Sequence, residues 1–202
     1  SLLYCKCHFA VNSLAGSSVN KLMLDNQFVY EIPAQFFNMA YLKLLVRQLQ
    51  FERVQGLAKH HRRVADDPYL LSVQQRVPVL SDLFNIYTLE PGKGLPIHTD
   101  ANRQCALNIP ISGTEQSITS FYSSDSNITS VYNEKLIVNE ITSQVVPVFS
   151  YTLSVPSLID NSVPHSVQVY GTAPRVTISW SIQDGVTMTE AKEAFIKALG
   201  NV

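Results

Sequence analysis

The sequence predicts a mainly β protein with flanking helices, with the strands arranged as a sandwich or barrel. Three observations predict it. From residue 83 onward, short β-type runs alternate with turn signals. Before that point, Pro33 to Phe51 carries apolar residues at helical spacing. Near the C-terminal end, Thr187 and Glu190 form a capping-box pattern ahead of a second apolar stripe. The chain has 202 residues, 46% of them hydrophobic and only 15% charged, which suits one domain with a sizeable core.

Residues 1–32 alternate weakly and suggest short strands, with a loop from Ser13 to Asn20. Pro33 suits the first position of a helix. Phe37, Tyr41, Leu44, Leu45 and Leu49 then recur on one helical face down to Phe51. Residues 52–80 are polar and mixed, with a short helix expected around Ser72 to Val77. Strand-like runs follow over Leu83–Leu89, Gln104–Ile111, Ser117–Tyr122, Leu136–Asn139, Val145–Tyr151, Ser166–Tyr170 and Arg175–Ile182. Turns at Pro91-Gly92-Lys93-Gly94 and Ser112-Gly113 end the first two. In the final helix, Ala191, Ala194, Phe195, Ala198 and Leu199 give a stripe expected to pack on the outside of a sheet. The expected organisation is a single domain over 1–202, with supporting elements in 1–82, the β core in 83–183 and a helix in 187–200.

Several function classes are excluded at this stage. A net charge of -1 gives no support for nucleic-acid binding. The basic run Lys59-His60-His61-Arg62-Arg63, followed by Asp66-Asp67, reads as a solvated surface stretch. No run approaches the length of a membrane span, and Ser1 to Phe9 lacks a signal-peptide layout. The expectation is therefore no membrane partner and a cytoplasmic location. Three cysteines are too few for a disulfide scaffold, and Cys5-Lys6-Cys7-His8 has a poor zinc spacing. Gly-x-Ser-x-Gly is missing, so a serine hydrolase has no support.

One constellation carries chemistry. His98-Thr99-Asp100 is followed by His165 and then by Arg175. Two histidines and a carboxylate can hold Fe(II) on one face and leave its other positions open. In extended backbone, residues i and i+2 point the same way, so His98 and Asp100 reach one metal while Thr99 points away. His165 opens a later strand after the loop Leu158 to Pro164. Arg175, Thr177 and Ser179 share a face by the same alternation. A guanidinium with a hydroxyl two residues on suits a buried carboxylate.

The stretch from Phe84 to Ile182 resembles the catalytic core of the Fe(II)- and 2-oxoglutarate-dependent oxygenases. The resemblance rests on His98, Asp100, His165 and a basic residue, Arg175, about ten positions later. Arg175-Val176-Thr177 is similar to the Arg-x-Ser/Thr motif of that superfamily. Leu95-Pro96-Ile97-His98-Thr99-Asp100, with Leu107-Asn108-Ile109-Pro110, is similar to prolyl and aspartyl/asparaginyl hydroxylase-like members. The resemblance implies a double-stranded β-helix core, of the jelly-roll or cupin-like kind. It implies Fe(II) on His98, Asp100 and His165, with 2-oxoglutarate as co-substrate on Arg175 and Thr177. O2 and a peptide or small molecule would be the other reactants. Tyr87 and Asn85, alternating on the strand before the motif, are candidates to bind the co-substrate. Arg103 and Asn108 are candidates to contact substrate. The Ser/Thr/Asn-rich stretch Thr114 to Asn133 is a candidate lid.

Other classes compete with this one. A non-catalytic β-sandwich would use the same form without chemistry. A cupin-like metalloenzyme would work without 2-oxoglutarate, and would not need Arg175.

Overall fold

Two antiparallel sheets face each other, and helices cover the outer face of one of them. The computed structural model describes residues 24–49, 52–54, 57–100, 103–123, 128–133, 136–141 and 145–200. The strands are β1 (Val29–Glu31), β2 (Glu52–Val54), β3 (Leu57–Arg63), β4 (Leu80–Leu89), β5 (Gly94–Asp100), β6 (Cys105–Ser112) and β7 (Ser117–Phe121). They continue with β8 (Ile128–Asn133), β9 (Leu136–Ile141), β10 (Phe149–Tyr151), β11 (Ser157–Asp160), β12 (His165–Val169) and β13 (Arg175–Ile182). The helices are α1 (Met39–Arg47), α2 (Pro68–Arg76) and α3 (Met188–Gly200). The first sheet has the order β1-β11-β6-β13-β4-β3-β2, the second β10-β7-β12-β5-β9-β8. Mainly antiparallel strands in two facing sheets, crossed repeatedly by the chain, give the jelly-roll core that the sequence implied.

The polarity of the first sheet explains the molecule. On β13, Ile178, Trp180 and Ile182 point outward into the main core, where Phe84, Ile86, Leu107 and Ile109 join them. Leu42, Leu45 and Val46 of α1, Leu70 and Val73 of α2, and Ala191, Phe195 and Ala198 of α3 close that core. The Trp180 indole N–H donates to the Ser81 carbonyl at 2.8 Å, so its polar edge is satisfied. The alternate residues of β13, Arg175, Thr177 and Ser179, point toward the second sheet and are buried too. Leu89 of β4 confirms which face is inward, since it packs on Val167 and Val169 of β12 in the other sheet.

Several elements differ from expectation. The helix expected over Pro33–Phe51 is a short 3-10 turn, Ala34–Phe36, followed by α1. Asn38 restarts it, its side chain accepting the Tyr41 N–H at 3.0 Å, while Gln50 and Phe51 lie outside the described residues. The second helix begins earlier than Ser72, because Asp67 caps it and Pro68 occupies its first turn. The basic run Lys59 to Arg63, expected as a solvated surface stretch, has His61 and Arg63 exposed but is strand β3, hydrogen-bonded between β2 and β4. Within the expected loop Leu158–Pro164, residues up to Asp160 belong to β11, held between β1 and β6. Within the candidate lid Thr114–Asn133, Ser117–Phe121 and Ile128–Asn133 are strands, and 124–127 lie outside the described residues, so the lid expectation is withdrawn for those strands. The early loop Ser13 to Asn20 and the Cys5 to His8 cluster also lie outside the described residues. The C-terminal capping box is formed as expected: Glu190 accepts the Thr187 N–H at 2.8 Å, and Thr187 accepts the Glu190 N–H at 3.3 Å.

Candidate metal and co-substrate site

β5 and β12 are neighbours in the second sheet, and their register sets His98 directly opposite His165. The rings meet at 4.4 Å between centroids, both nearly fully buried. Each ring is anchored the same way. Nδ1 of His98 lies 2.8 Å from the Pro96 carbonyl, and Nδ1 of His165 lies 2.9 Å from the Val163 carbonyl. A carbonyl only accepts, so each Nδ1 carries a proton and Nε2 is the ring atom left for a metal. This is the tautomer a metal ligand needs. Burial first, and then the neighbouring His98, lower His165 to about 4, so its imidazole is neutral at ordinary pH.

Asp100 ends β5 two residues beyond His98. Its Oδ2 accepts from Arg103 Nε at 2.5 Å and from Asn161 Nδ2 at 2.6 Å. Burial alone would raise this carboxyl. Arg103, followed by His165 and His98, outweighs burial and holds it below its ordinary range. Among the described residues, Oδ1 accepts none of these bonds. Also among the described residues, no three His, Cys, Asp or Glu side chains are gathered as tightly as a bound ion requires. The donor types nevertheless fit iron: two imidazoles anchored through Nδ1, and a carboxylate with one oxygen anchored by its neighbours.

Deeper between the sheets, the opposite wall is cationic. Arg175 is 5% exposed, and its Nε has no hydrogen-bond partner. Among the described residues no carboxylate pairs with it. Burial pushes its pKa down. The Thr177 hydroxyl, two residues on, is buried without a partner. The Tyr151 hydroxyl, on β10 beside Thr119, is also buried, and burial raises its pKa further than any nearby charge lowers it. A buried cation surrounded by unsatisfied hydroxyls is expensive unless an anion joins it. Leu89, Val167 and Val169 pack alongside and exclude water.

The other expected residues fall on the same inner wall. Cross-strand pairing puts Thr177 beside Tyr87, and Ser179 beside both Asn85 and Asn108. The Oδ1 atoms of Asn85 and Asn108 are buried without partners. Tyr87 lies against Arg103 and Asp100, and burial raises its pKa. Arg103 spans the two sheets: beyond Asp100, its Nη1 donates to Ser179 at 3.0 Å and Ser181 at 3.4 Å. These contacts make it a brace for Asp100. Sequence reasoning missed Asn161 and Tyr151. Asn161 sits in a polar loop of ordinary composition and has no local signal. Tyr151 ends an expected strand, but only pairing reveals which way it faces.

A groove of about 540 Å³ lies elsewhere, between α1 and the outer face of the first sheet, with Val46, Ala58, Thr88 and Val176 among its walls. It is on the far side of the sheet from Arg175 and Thr177.

Two facing antiparallel sheets in this order define a double-stranded β-helix protein, with the histidines and the Arg175 wall on its inner faces. No family model matches the sequence, and no curated protein matches it. Solved structures do resemble it in fold. An oxidoreductase of the 2OG-Fe(II) oxygenase family from Burkholderia pseudomallei aligns over 79% of this chain and 87% of its own, with a TM-score of 0.51 and 10% identity. HygX from Streptomyces hygroscopicus, determined with nickel, 2-oxoglutarate and hygromycin B bound, aligns over 78% and 83%, with a TM-score of 0.46 and 10% identity. Bacillus subtilis oxalate decarboxylase aligns over 77% of this chain but 35% of its own, with a TM-score of 0.40 and 15% identity. The chain spans about a third of the length of that decarboxylase and of the vicilin from Capsicum annuum. At these identities the likeness establishes the fold. No described helix is long and apolar enough to cross a membrane.

Proposed function

We propose that the protein is an Fe(II)- and 2-oxoglutarate-dependent oxygenase that hydroxylates a peptide side chain or a small molecule. The observation that carries this is the buried Arg175, with no partner at Nε and no carboxylate in ion-pair contact among the described residues, beside the unpartnered Thr177 hydroxyl and set across the sheets from the His98–His165 pair. A protein that needed no anion there would leave a cation desolvated and uncompensated. The fold shared with a 2OG-Fe(II) oxygenase-family protein is consistent with the reading.

In this reading His98, Asp100 and His165 hold Fe(II), and Arg175 and Thr177 receive the far carboxylate of 2-oxoglutarate. The chemistry this pair supplies when bound is oxidative decarboxylation of 2-oxoglutarate to succinate and CO2, coupled to O2-dependent hydroxylation of substrate. The chain itself orients and insulates. The Pro96 and Val163 carbonyls fix the imidazole rings in the metal-ready tautomer. Arg103 and Asn161 hold one oxygen of Asp100, which keeps the carboxylate ionised in a buried place. Asn85 and Tyr87, on the wall between Arg175 and Arg103, are placed to hydrogen-bond the co-substrate. Asn108 offers a further buried acceptor on the same wall, for co-substrate or substrate.

The test is an anaerobic titration of Fe(II)-loaded protein with 2-oxoglutarate, following the weak visible charge-transfer band of the chelate. A saturable band that disappears in His98→Ala is expected. Iron-loaded protein that gives no band would favour a cupin-like metalloenzyme without 2-oxoglutarate. Failure to bind iron at all would favour a non-catalytic sandwich.

A further inference from the structure

We infer that Tyr151 donates its hydroxyl to the same carboxylate that Arg175 and Thr177 receive, so that the co-substrate ties the two sheets together. The inference rests on the oxygenase reading and adds to it a residue outside the Arg175-Val176-Thr177 motif. Two apolar clusters fix how the sheets face each other. On one side, Val29 of β1 and Ile159 of β11 pack with Phe121 of β7 and Tyr151 of β10. On the other, Leu89 of β4 packs on Val167 and Val169 of β12. In the first sheet β6 and β13 lie between β11 and β4. Arg175 and Thr177 therefore face inward from β13 in the interval between the clusters.

Register then sets the level along the strands. Tyr151 pairs with Thr119, and Thr119 with Val167, so the three stand side by side across the second sheet. Val167 meets Leu89, and Leu89 pairs with Arg175. Tyr151 and Arg175 are thus at one level on facing sheets, near enough for each to shift the other's pKa. The histidine row is one step away on the same face, since Phe121 pairs with His165 and His165 with His98. Two residues along a strand is about 7 Å, a step that suits a five-carbon diacid held between the two rows.

The groups left over at that level are those a carboxylate needs. Arg175 Nε, the Thr177 hydroxyl and the Tyr151 hydroxyl are all buried without a hydrogen-bond partner. Burial raises the Tyr151 pKa, and neither the Arg175 charge nor the neighbouring Thr119 reverses this, so the group is a neutral O–H able to donate. Among the described residues no carboxylate fills the place. Glu31, the acid that acts on Tyr151, accepts the Leu24 N–H at 2.8 Å and forms no ion pair with Arg175. The Tyr151 ring is stacked with Phe121 and Phe149, each at 6.2 Å between centroids, which fixes where its hydroxyl points.

Anaerobic titration of 2-oxoglutarate into the Fe(II)-loaded full chain tests this with Tyr151→Phe, which removes one oxygen and keeps the stacked ring. The Kd is expected to rise about tenfold or more, with Fe(II) affinity unchanged. 2-Oxobutyrate keeps the 2-oxo acid and lacks the far carboxylate, so it is expected to bind wild type and variant alike. Hydrogen exchange gives a second readout: 2-oxoglutarate is expected to slow the β10 amides in wild type and much less in the variant. Equal 2-oxoglutarate affinity in the two proteins, an equal loss for both acids, or a loss of Fe(II) affinity would each overturn the inference and leave the oxygenase reading standing. A wild type that binds iron but neither acid would sink the oxygenase reading and this inference with it.

Discussion

Arg175→Met separates a co-substrate cation from a structural one. The guanidinium is 5% exposed, lacks a partner at Nε, and has no described carboxylate in ion-pair contact. Methionine keeps much of its length and removes its charge. In the ligand-free protein the change relieves an uncompensated desolvation, which is typically several kcal/mol for a buried ion. The free variant is therefore expected to melt at or above the wild-type temperature. Toward 2-oxoglutarate the effect reverses. Losing a buried charge-assisted pair costs about 2–5 kcal/mol, or about 30-fold to several thousand-fold in Kd. At a ligand concentration about a hundred times the wild-type Kd, wild type gains about 2.7 kcal/mol. For a chain of this size that raises Tm by about 5–11 °C. The variant keeps less than about 1 kcal/mol, or at most about 3 °C. The assay is a thermal melt of each protein with and without 2-oxoglutarate, in the presence of Fe(II) under anaerobic conditions. Iron affinity, measured separately, is expected to change little. A variant that loses several degrees without ligand, yet keeps the full ligand shift, would refute the reasoning and make Arg175 a core residue.

Four further outcomes follow from the geometry. Arg103→Gln strips the cation that holds Asp100 ionised; the carboxyl pKa is expected to rise and Fe(II) affinity to fall about 10-fold or more, which a competition titration against a chelator would read. Gly113→Ala places a methyl group against the Pro174 carbonyl at a left-handed φ of 65°, so the backbone entering Arg175 must shift; a loss of about 2 kcal/mol or more is expected in chemical denaturation, together with weaker 2-oxoglutarate binding. Gly92→Ala, also left-handed but with open space around it, is expected to cost only about 1 kcal/mol and to leave the ligand untouched; equal effects at the two glycines would remove the steric account. Phe195→Ala opens the main core beside Phe36 and is expected to cost about 3–5 kcal/mol in urea unfolding, with ligand affinity per folded molecule preserved.

The elements legible in the sequence were those with one polar and one apolar face in the usual sense. α3 showed its stripe and its capping box, and both are formed. β13, β6 and β7 were near their observed bounds because each is a run of strand-forming residues, and Ser112-Gly113 marks the end of β6. β3 was missed for a physical reason. With bases at five consecutive positions it lacks the apolar alternation that marks a half-buried strand, so Leu57 to Arg63 reads as surface. β11 has four residues, too few to establish a period, and its strand character comes from being held between β1 and β6. The positions of His98, Asp100, His165 and Arg175 were legible because spacing fixes them. The parts of the wall set by pairing, Tyr151 and Asn161, were not.

The same pairing ties the pocket to the core. On β13 each step along the chain alternates between the two: Arg175, Thr177 and Ser179 face the pocket, while Ile178, Trp180 and Ile182 face the helices. A slip of one residue would bury Trp180 among the asparagines and turn Arg175 into the helical core. Much of what opposes the slip lies on the outer face, in Trp180 against Phe84 and in Phe195 against Phe36. The inner face packs Leu89 on Val167 and Val169, but it also buries polar atoms without partners and the Arg175 cation, which oppose folding. The helices therefore do more than cover a sheet. They hold in register a wall whose buried polar atoms lack partners among the described residues.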